Sequence, residues 1–380
     1  MTDELILGAG ISTSAGIPDF RGPKGVWTLE KKGLKPDMNV DWDEAKPTVT
    51  HMALAKLVEV GKVKFIITQN IDGLHLRSGV PRQNIAELHG NMFLDQCDKC
   101  KKMFVRSCPA PTVGQKYVGG DCMASRANGR NCRGKLKDFV LDWEHELPDS
   151  DLTLSDSHSV LADLSIVMGS TLQIIPAGNM PTYTKKYHQD GKLVICNLQP
   201  TKQDKKADLN IHTYVDDVMR ILMANLGLEI PEYDKSKDPV QRVAMKDFSD
   251  EDLYIDWTQD EDHAKKIKKQ ADVVHDDYLR KRREDKKRKT ELKKVETKAK
   301  MMKREDEDEK PIIKEEQVNG VSTGRSCKKT DSYKFHDEDD TIDKLLEDDD
   351  NESSDDIKQE DDSSSNGNQT SQSNKSSQDS

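Results

Sequence analysis

Short apolar runs alternate with longer amphipathic segments over the first 230 positions of this chain. Five runs have the length of buried strands: residues 4–7, 63–67, 85–88, 164–168 and 193–196. Residues 50–60 and 215–226 carry apolar side chains at helical spacing, and each segment is closed by a glycine, Gly61 or Gly227. This pattern predicts an α/β fold, a Rossmann-like parallel sheet with helices between the strands.

Polar or small residues follow four of the predicted strands. In an open parallel sheet, ligands bind at the carboxyl ends of the strands, so these positions are the first candidates for a site. The candidates are Gln69, Asn70 and Asp72 after the second run, His89 after the third, Gly169, Ser170 and Thr171 after the fourth, and Asn197, Leu198 and Gln199 after the fifth.

The first run is followed by a glycine-rich stretch, Gly8-Ala9-Gly10-Ile11-Ser12. A strand that turns through glycines into a helix start lets backbone amides approach a pyrophosphate. Threonine occupies position 13, where a dinucleotide fingerprint has its third glycine. A tight structural turn therefore explains the stretch about as well as a cofactor site.

The next stretch, residues 17–27, is rich in glycine and proline and predicts an ordered loop. It carries Asp19, Phe20, Arg21 and Trp27, which is typical of a cofactor lid, although a surface loop has the same composition.

The expected state of the seven cysteines depends on whether the chain carries a secretory signal. No run approaches the roughly 18 apolar residues that span a bilayer, and the amino terminus lacks a basic flank and long apolar core. We therefore expect an intracellular protein with no membrane partner, whose cysteines are free thiols or metal ligands.

Residues 91–142 are poor in aliphatic side chains and contain four cysteines with ligand-like spacing. Two cysteines three apart and two more from a second segment can close a tetrahedral thiolate site, which stabilises a module without a core. We predict one structural zinc ion, with Cys108 as a competing ligand and free thiols as the alternative. The predicted set is Cys97, Cys100, Cys122 and Cys132.

Composition changes after residue 230. Charges balance over residues 1–230, so the whole net charge of −11 belongs to residues 231–380. We predict a charged tail that is helical over 257–304 and largely disordered beyond 337. Its basic block, residues 280–289, is typical of nuclear import or of contact with DNA phosphates, and a solvated helix face is the alternative.

The motifs GAGIST, GIPDFRG, TQNIDGLH, LHG, GSTLQI and NLQ, with the cysteine module among them, resemble the sirtuins over residues 8–228. GPKGVWT, ELHGNMF and NLQPTK look most like class IV, the nuclear chromatin sirtuins. The resemblance implies an NAD-dependent protein-lysine deacylase that acts on acylated histone tails in the nucleus. It also implies a catalytic domain over residues 1–230.

The resemblance assigns an NAD site. His89 matches the catalytic base, and Asn70 matches a group that binds a ribose hydroxyl or water. The matching cofactor positions are Ala9, Gly10, Ser12, Asp19, Phe20, Arg21, Trp27, Gln69, Asn70, Asp72, His89, Gly169, Ser170, Thr171, Asn197, Leu198, Gln199, Tyr214 and Val215.

The chemistry that the resemblance implies needs few protein groups. The acyl oxygen of the modified lysine attacks C1′ of the nicotinamide ribose as nicotinamide leaves, and a base then takes a proton from a ribose hydroxyl. An imidazole that titrates near neutral pH suits this step. The zinc site lies outside the reaction, because four thiolates leave no open coordination position.

Two further functions fit the same residues. Mono-ADP-ribosyl transfer to protein uses the same cofactor site without an acyl acceptor. A weakly active chromatin-binding protein is the third, because only seven residues precede Gly8. We therefore expect the sheet to lack most of its first strand, which forms one of its edges.

Overall fold

The computed structural model describes residues 3–35, 42–125, 129–245 and 254–308. A six-stranded sheet, entirely parallel, forms the larger part of the fold. Its strands are β1 (Asp3–Leu7), β2 (Phe65–Thr68), β3 (Ile85–Glu87), β8 (Leu164–Met168), β9 (Lys192–Cys196) and β10 (Leu209–Ile211). The predicted Rossmann-like sheet is confirmed.

The strand order is β10-β9-β8-β1-β2-β3. Strand β1 pairs with β2 on one side and with β8 on the other, so it lies at the centre of the sheet. The expectation that the first strand forms an edge of the sheet is therefore wrong. From β1 the chain adds β2 and β3 on one side of the sheet, and from β8 it adds β9 and β10 on the other side. Parallel sheets of this class bind ligands in the crevice between two such strands, at their carboxyl ends.

A second, antiparallel sheet is inserted between β3 and β8. Its order is β5-β4-β7-β6, with β4 at Gly90–Cys97, β5 at Met103–Val105, β6 at Tyr117–Asp121 and β7 at Lys135–Val140. We call it the cysteine module. Its small apolar cluster consists of Cys97, Phe104, Cys122, Cys132 and Leu136.

Eight α-helices accompany the sheets in the described residues: α1 (Val26–Lys31), α2 (Val49–Glu59), α3 (Leu74–Arg77), α4 (Asp149–Leu161), α5 (Tyr183–Tyr187), α6 (Val215–Asn225), α7 (Pro239–Met245) and α8 (Glu261–Asp308). Helices α2 and α6 confirm the two amphipathic predictions. The glycine-rich stretch after β1 forms two 3₁₀ turns, Ala9–Ile11 and Thr13–Ala15, rather than the start of an α-helix.

The compact unit continues to Asp308, beyond residue 230, where the catalytic domain is predicted to end. Asp238, Val240 and Trp257 are buried, and Arg77 forms an ion pair with Asp238 at 2.9 Å. These few buried side chains were not predicted, because the sequence around them after residue 230 is mostly charged. The acidic stretch beyond residue 308 lies outside the described residues. Among those described, no helix combines the length and apolarity needed to cross a membrane.

Candidate active site

A cavity of about 750 Å³ opens at the carboxyl ends of the parallel strands. Its volume is within the range of small-molecule and cofactor sites. The cavity is lined by every predicted cofactor position except two, Ser12 and Asp72: Ala9, Gly10, Asp19, Phe20, Arg21, Trp27, Gln69, Asn70, His89, Gly169, Ser170, Thr171, Asn197, Leu198, Gln199, Tyr214 and Val215. The fold thus brings residues that are distant in sequence to one concave surface.

The loops after β1 and β8 pack directly on each other. The amide of Gly10 donates to the carbonyl of Gly169 at 3.0 Å, and a Cβ on Gly10 would lie 2.7 Å from the Gly169 Cα. Gly169 itself has a φ of +64°. Glycine is required on both sides because a side chain at either position would push the loops apart. Because of this close approach, both loops line the same wall of the cavity.

His89 lies in the turn that joins β3 to β4. Its Nδ1 is 3.0 Å from the carbonyl oxygen of Gln69, which only accepts, so Nδ1 carries the proton. Burial lowers the pKa of His89, and the hydrogen bond to Gln69 partly offsets that shift. The ring is therefore neutral at pH 7, with Nε2 as its free base. This is the geometry that a general base needs.

Ser12, Asn70 and Asp72 form a network behind the cavity wall. The Ser12 hydroxyl donates to Asp72 Oδ2 at 2.6 Å, while Asn70 Nδ2 donates to Ser12 Oγ and to the Gly8 carbonyl, both at 3.2 Å. Burial raises the pKa of Asp72, and the hydrogen bonds from Ser12 and the Leu74 amide oppose that shift. The network fixes Asn70, which lines the cavity, to the glycine-rich loop.

The predicted lid is an ordered loop. Asp19 Oδ1 accepts from the Gly22 amide at 2.9 Å, and the Arg21 guanidinium carbon lies 4.4 Å from the centre of the Trp27 ring. Gln199 Nε2 donates to the Arg21 carbonyl at 3.1 Å, which ties the loop to the end of β9. The lid therefore covers the cavity from a defined position.

One part of the cavity rim, the segment after β7, was not predicted from the sequence. Asp142, Trp143 and Glu146, from the segment after β7, all line the cavity and are exposed. Trp143 is 76% exposed, and its ring centre is 5.5 Å from that of Trp27 in the lid. The only sequence signal was a tryptophan between two acidic residues at the end of the cysteine-rich segment. This pattern does not indicate that the segment lies at the rim of the cavity.

The four predicted metal ligands converge in the cysteine module. Their sulfur atoms all lie within 4.8 Å of one another, with Cys97–Cys132 at 3.7 Å and Cys100–Cys122 at 3.6 Å. Sulfur atoms around a tetrahedral zinc ion are roughly 3.8 Å apart, since each bond is about 2.3 Å. The group fits one zinc ion, while Cys108 is exposed and lies outside it.

Comparisons with known proteins agree with this architecture. Residues 35–176 match the Sir2 family. The chain is 57% identical over 240 residues to the NAD-dependent protein deacetylase Sirt6 of Drosophila melanogaster, covering 63% of this chain and 75% of the relative. It is 38% identical over 258 residues to the NAD-dependent protein deacetylase sirtuin-7 of Homo sapiens, covering 63% and 60%.

A solved structure of Sir2 with a p53 peptide and NAD⁺ is 32% identical, with a TM-score of 0.44, and covers 60% of this chain and 93% of that one. The Sirt6 and sirtuin-7 relatives confirm the predicted class IV grouping, and the identity is higher to Sirt6 than to sirtuin-7. With 57% identity across three quarters of a relative's length, the chain belongs to the Sir2 family, the sirtuins.

Proposed function

We propose that this chain is an NAD-dependent protein-lysine deacylase, in line with the deacetylase names of its relatives. The observation that carries the proposal is the placement of His89, which lines the cavity and whose Nδ1 lies 3.0 Å from the Gln69 carbonyl oxygen, so that Nε2 is the nitrogen left to accept a proton. NAD, when bound, supplies the electrophilic ribose carbon and nicotinamide as the leaving group.

The remaining tasks fall to side chains of the chain itself. Nε2 of His89 accepts a proton from a ribose hydroxyl, and the Gln69 carbonyl stabilises the imidazolium that forms by accepting from Nδ1. Asn70 holds a hydroxyl or a water, because its amide is fixed by Ser12 and Gly8. The lid residues Phe20 and Trp27 exclude water from the cavity.

We further propose that the acyl-lysine is presented by a basic peptide such as a histone tail. Asp142 and Glu146 are exposed at the cavity rim, where they favour lysine and arginine neighbours of the modified residue. Trp143, between them, offers an apolar face to the peptide. Replacement of both carboxylates by amides should raise KM for a basic acyl-lysine peptide several-fold without changing KM for NAD.

Mass spectrometry of the reaction products tests the proposed activity. Purified protein, NAD and an acyl-lysine peptide should yield the peptide with an unmodified lysine, nicotinamide and O-acyl-ADP-ribose in equal amounts. An ADP-ribosylated protein side chain without O-acyl-ADP-ribose would instead establish transfer to protein. Retention of the acyl group under conditions where NAD binds would contradict the deacylase proposal.

We also propose that the basic block of α8 contacts nucleic acid in the nucleus. Eight of the ten residues 280–289 are lysine or arginine, and Arg280 and Lys281 are 62% and 67% exposed. The affinity for duplex DNA should fall steeply with salt, and glutamine at those eight positions should flatten that dependence. Unchanged affinity after the eight substitutions would refute the contact.

A further inference from the structure

Residues 254–260, here called the strap, extend the cysteine module by one more extended segment. Asp256 forms an antiparallel bridge with Phe104 of β5. The Val105 amide donates to the Ile255 carbonyl at 3.0 Å, and the Trp257 amide donates to the Met103 carbonyl at 2.9 Å. The strap therefore pairs with the outer edge of β5, far from its own position in the sequence.

The opposite side of the strap contacts β3 of the parallel sheet. Arg82 Nε donates to the Trp257 carbonyl at 3.0 Å, and Gln259 Nε2 donates to the Arg82 and Ile85 carbonyls at 3.0 and 2.9 Å. Trp257 and Gln259 are both 7% exposed. The strap thus joins the two sheets by direct hydrogen bonds.

One contact of the strap leads to the turn that carries His89. The indole Nε1 of Trp257 donates to Glu87 Oε2 at 3.1 Å, and Asn91 Nδ2 donates to Glu87 Oε1 at 2.6 Å. Glu87 lies two positions before His89, and Asn91 lies two positions after it. The hydrogen bond between these two side chains therefore spans the turn that carries His89. Glu87 is 2% exposed, and no solvent is available to replace a lost donor.

The turn has little room for other arrangements. A Cβ on Gly90 would lie 2.0 Å from the Phe139 carbonyl oxygen, and the Leu141 amide donates to the His89 carbonyl at 3.1 Å. A shift of the Glu87 carboxylate therefore moves the His89 backbone as a unit with the start of β4. Catalytic rates are sensitive to displacements of this kind, since about 1 Å can cost roughly a hundredfold.

We propose that Trp257 is a positioning residue for His89, which acts through its hydrogen bond to the Glu87 carboxylate. The inference rests on the proposed deacylase function for its kinetic consequence, but the geometry of His89 can be measured without activity. Trp257 does not touch the cavity, so its role differs from that of the cofactor residues.

The kinetic test compares Trp257→Phe with Thr258→Ala in the full chain. Phenylalanine keeps most of the buried ring but removes the N–H donor to Glu87. Thr258→Ala removes another strap contact, the acceptor for the Met103 amide at 2.9 Å, which does not involve Glu87. We expect Trp257→Phe to lower kcat for deacylation about tenfold with KM for NAD within about twofold, and Thr258→Ala to leave kcat unchanged.

A double-mutant cycle separates positioning from general loss of stability. In the Glu87→Met background the side chain at position 87 has similar length but no oxygen to accept from the indole, so Trp257→Phe should lower kcat by less than twofold. Equal kcat losses in Trp257→Phe and Thr258→Ala, at a temperature where both are folded, would overturn the proposal. So would a full tenfold effect of Trp257→Phe in the Glu87→Met background.

Nitrogen-15 NMR of histidine-labelled protein gives a readout that does not depend on turnover, with His89 assigned from a His89→Gln variant. The wild type should show the Nδ1-protonated tautomer for His89. Trp257→Phe should shift these resonances toward a mixture of tautomers, and Thr258→Ala should not. Identical His89 resonances in all three proteins would overturn the inference, even in a protein without deacylase activity. Failure of the wild type to deacylate would count only against the proposed function.

Discussion

The parallel sheet and the cysteine module reach a fixed shape by different means. The sheet buries large side chains on both faces, with Phe65, Ile66 and Ile67 fully buried in β2 alone. The module has a cluster of five buried residues, and three of them are cysteines. Burial can stabilise the first region, whereas the second has four cysteines placed to hold a metal ion, which would add the stability that its small cluster lacks.

The two regions also have different roles at the active site: the parallel sheet carries the candidate catalytic residues, and the module lies beside them. The NAD-sized cavity lies at the ends of the parallel strands, where His89 and Asn70 are held by backbone groups of a rigid sheet. The segment after β7 contributes Trp143 to the rim of that cavity, and the strap, which pairs with β5 of the module, braces the His89 turn. A defect in the module should therefore reach the active site indirectly.

Loss of the metal should have the largest effect. Structural zinc contributes roughly 10 kcal/mol or more of binding free energy to small modules, so Cys132→Ser should release the ion and unfold the module. Cys108→Ser, at an exposed cysteine outside the cluster, is the matched control. Zinc analysis and circular dichroism report the result. One zinc ion per chain in Cys132→Ser, with a native spectrum, would show that the ligand set is wrong.

Acid should destabilise the parallel-sheet region. Burial lowers the pKa of His158 from 6.5 to about 3, and nearby His263 adds to the shift. The unfolded chain then binds a proton that the folded chain does not, so stability is full above pH 6.5 and is lost as pH falls toward 3. Each such histidine costs about 2 kcal/mol at pH 5.

His158→Phe tests this pH dependence, because the ring stacks on Phe65 at 4.0 Å and a phenyl group can take its place. Urea unfolding at pH 7 and pH 5 should show a smaller loss of stability in the variant, by about 2 kcal/mol. His51, whose pKa burial lowers to about 3, is unchanged and keeps its own contribution. An identical loss in variant and wild type would rule out His158 as the source.

A smaller effect is expected at the start of α2. Thr48 caps this helix and donates to the Ile11 carbonyl at 3.1 Å, which joins the helix to the glycine-rich loop. Thr48→Ala should cost about 1 kcal/mol, and Thr297→Ala on the exposed part of α8 less than about 0.5 kcal/mol. Thermal unfolding compares them. Equal costs would mean that the cap adds nothing beyond a surface threonine.

Local pattern was sufficient to predict five of the six parallel strands and most of the cavity. Buried strands are continuous apolar runs, and the polar residues after them, such as Asn70 and Ser170, must meet at one sheet edge. His89 was singled out because a short apolar run ends there, and its role came from the family resemblance. The hydrogen bond between its Nδ1 and the Gln69 carbonyl could not be predicted from local pattern, because the two residues are 20 positions apart and follow different strands.

The strap and the module strands were not predicted, for two physical reasons. The contact between Trp257 and Glu87 joins residues 170 positions apart, and one tryptophan in a charged segment carries no periodic signal. Strand β6 is largely exposed and contains two consecutive glycines, so neither alternation nor an apolar run marks it. Both elements depend on partners elsewhere in the fold rather than on their own composition.

The role of His89 is tested most directly by the kcat for deacylation in His89→Tyr, with NAD binding measured by calorimetry on the same samples. A general base is worth roughly a hundredfold to ten-thousandfold in rate, so kcat should fall by at least about a hundredfold while NAD still binds. Equal deacylation by the variant and the wild type would contradict the assignment of His89 as the base.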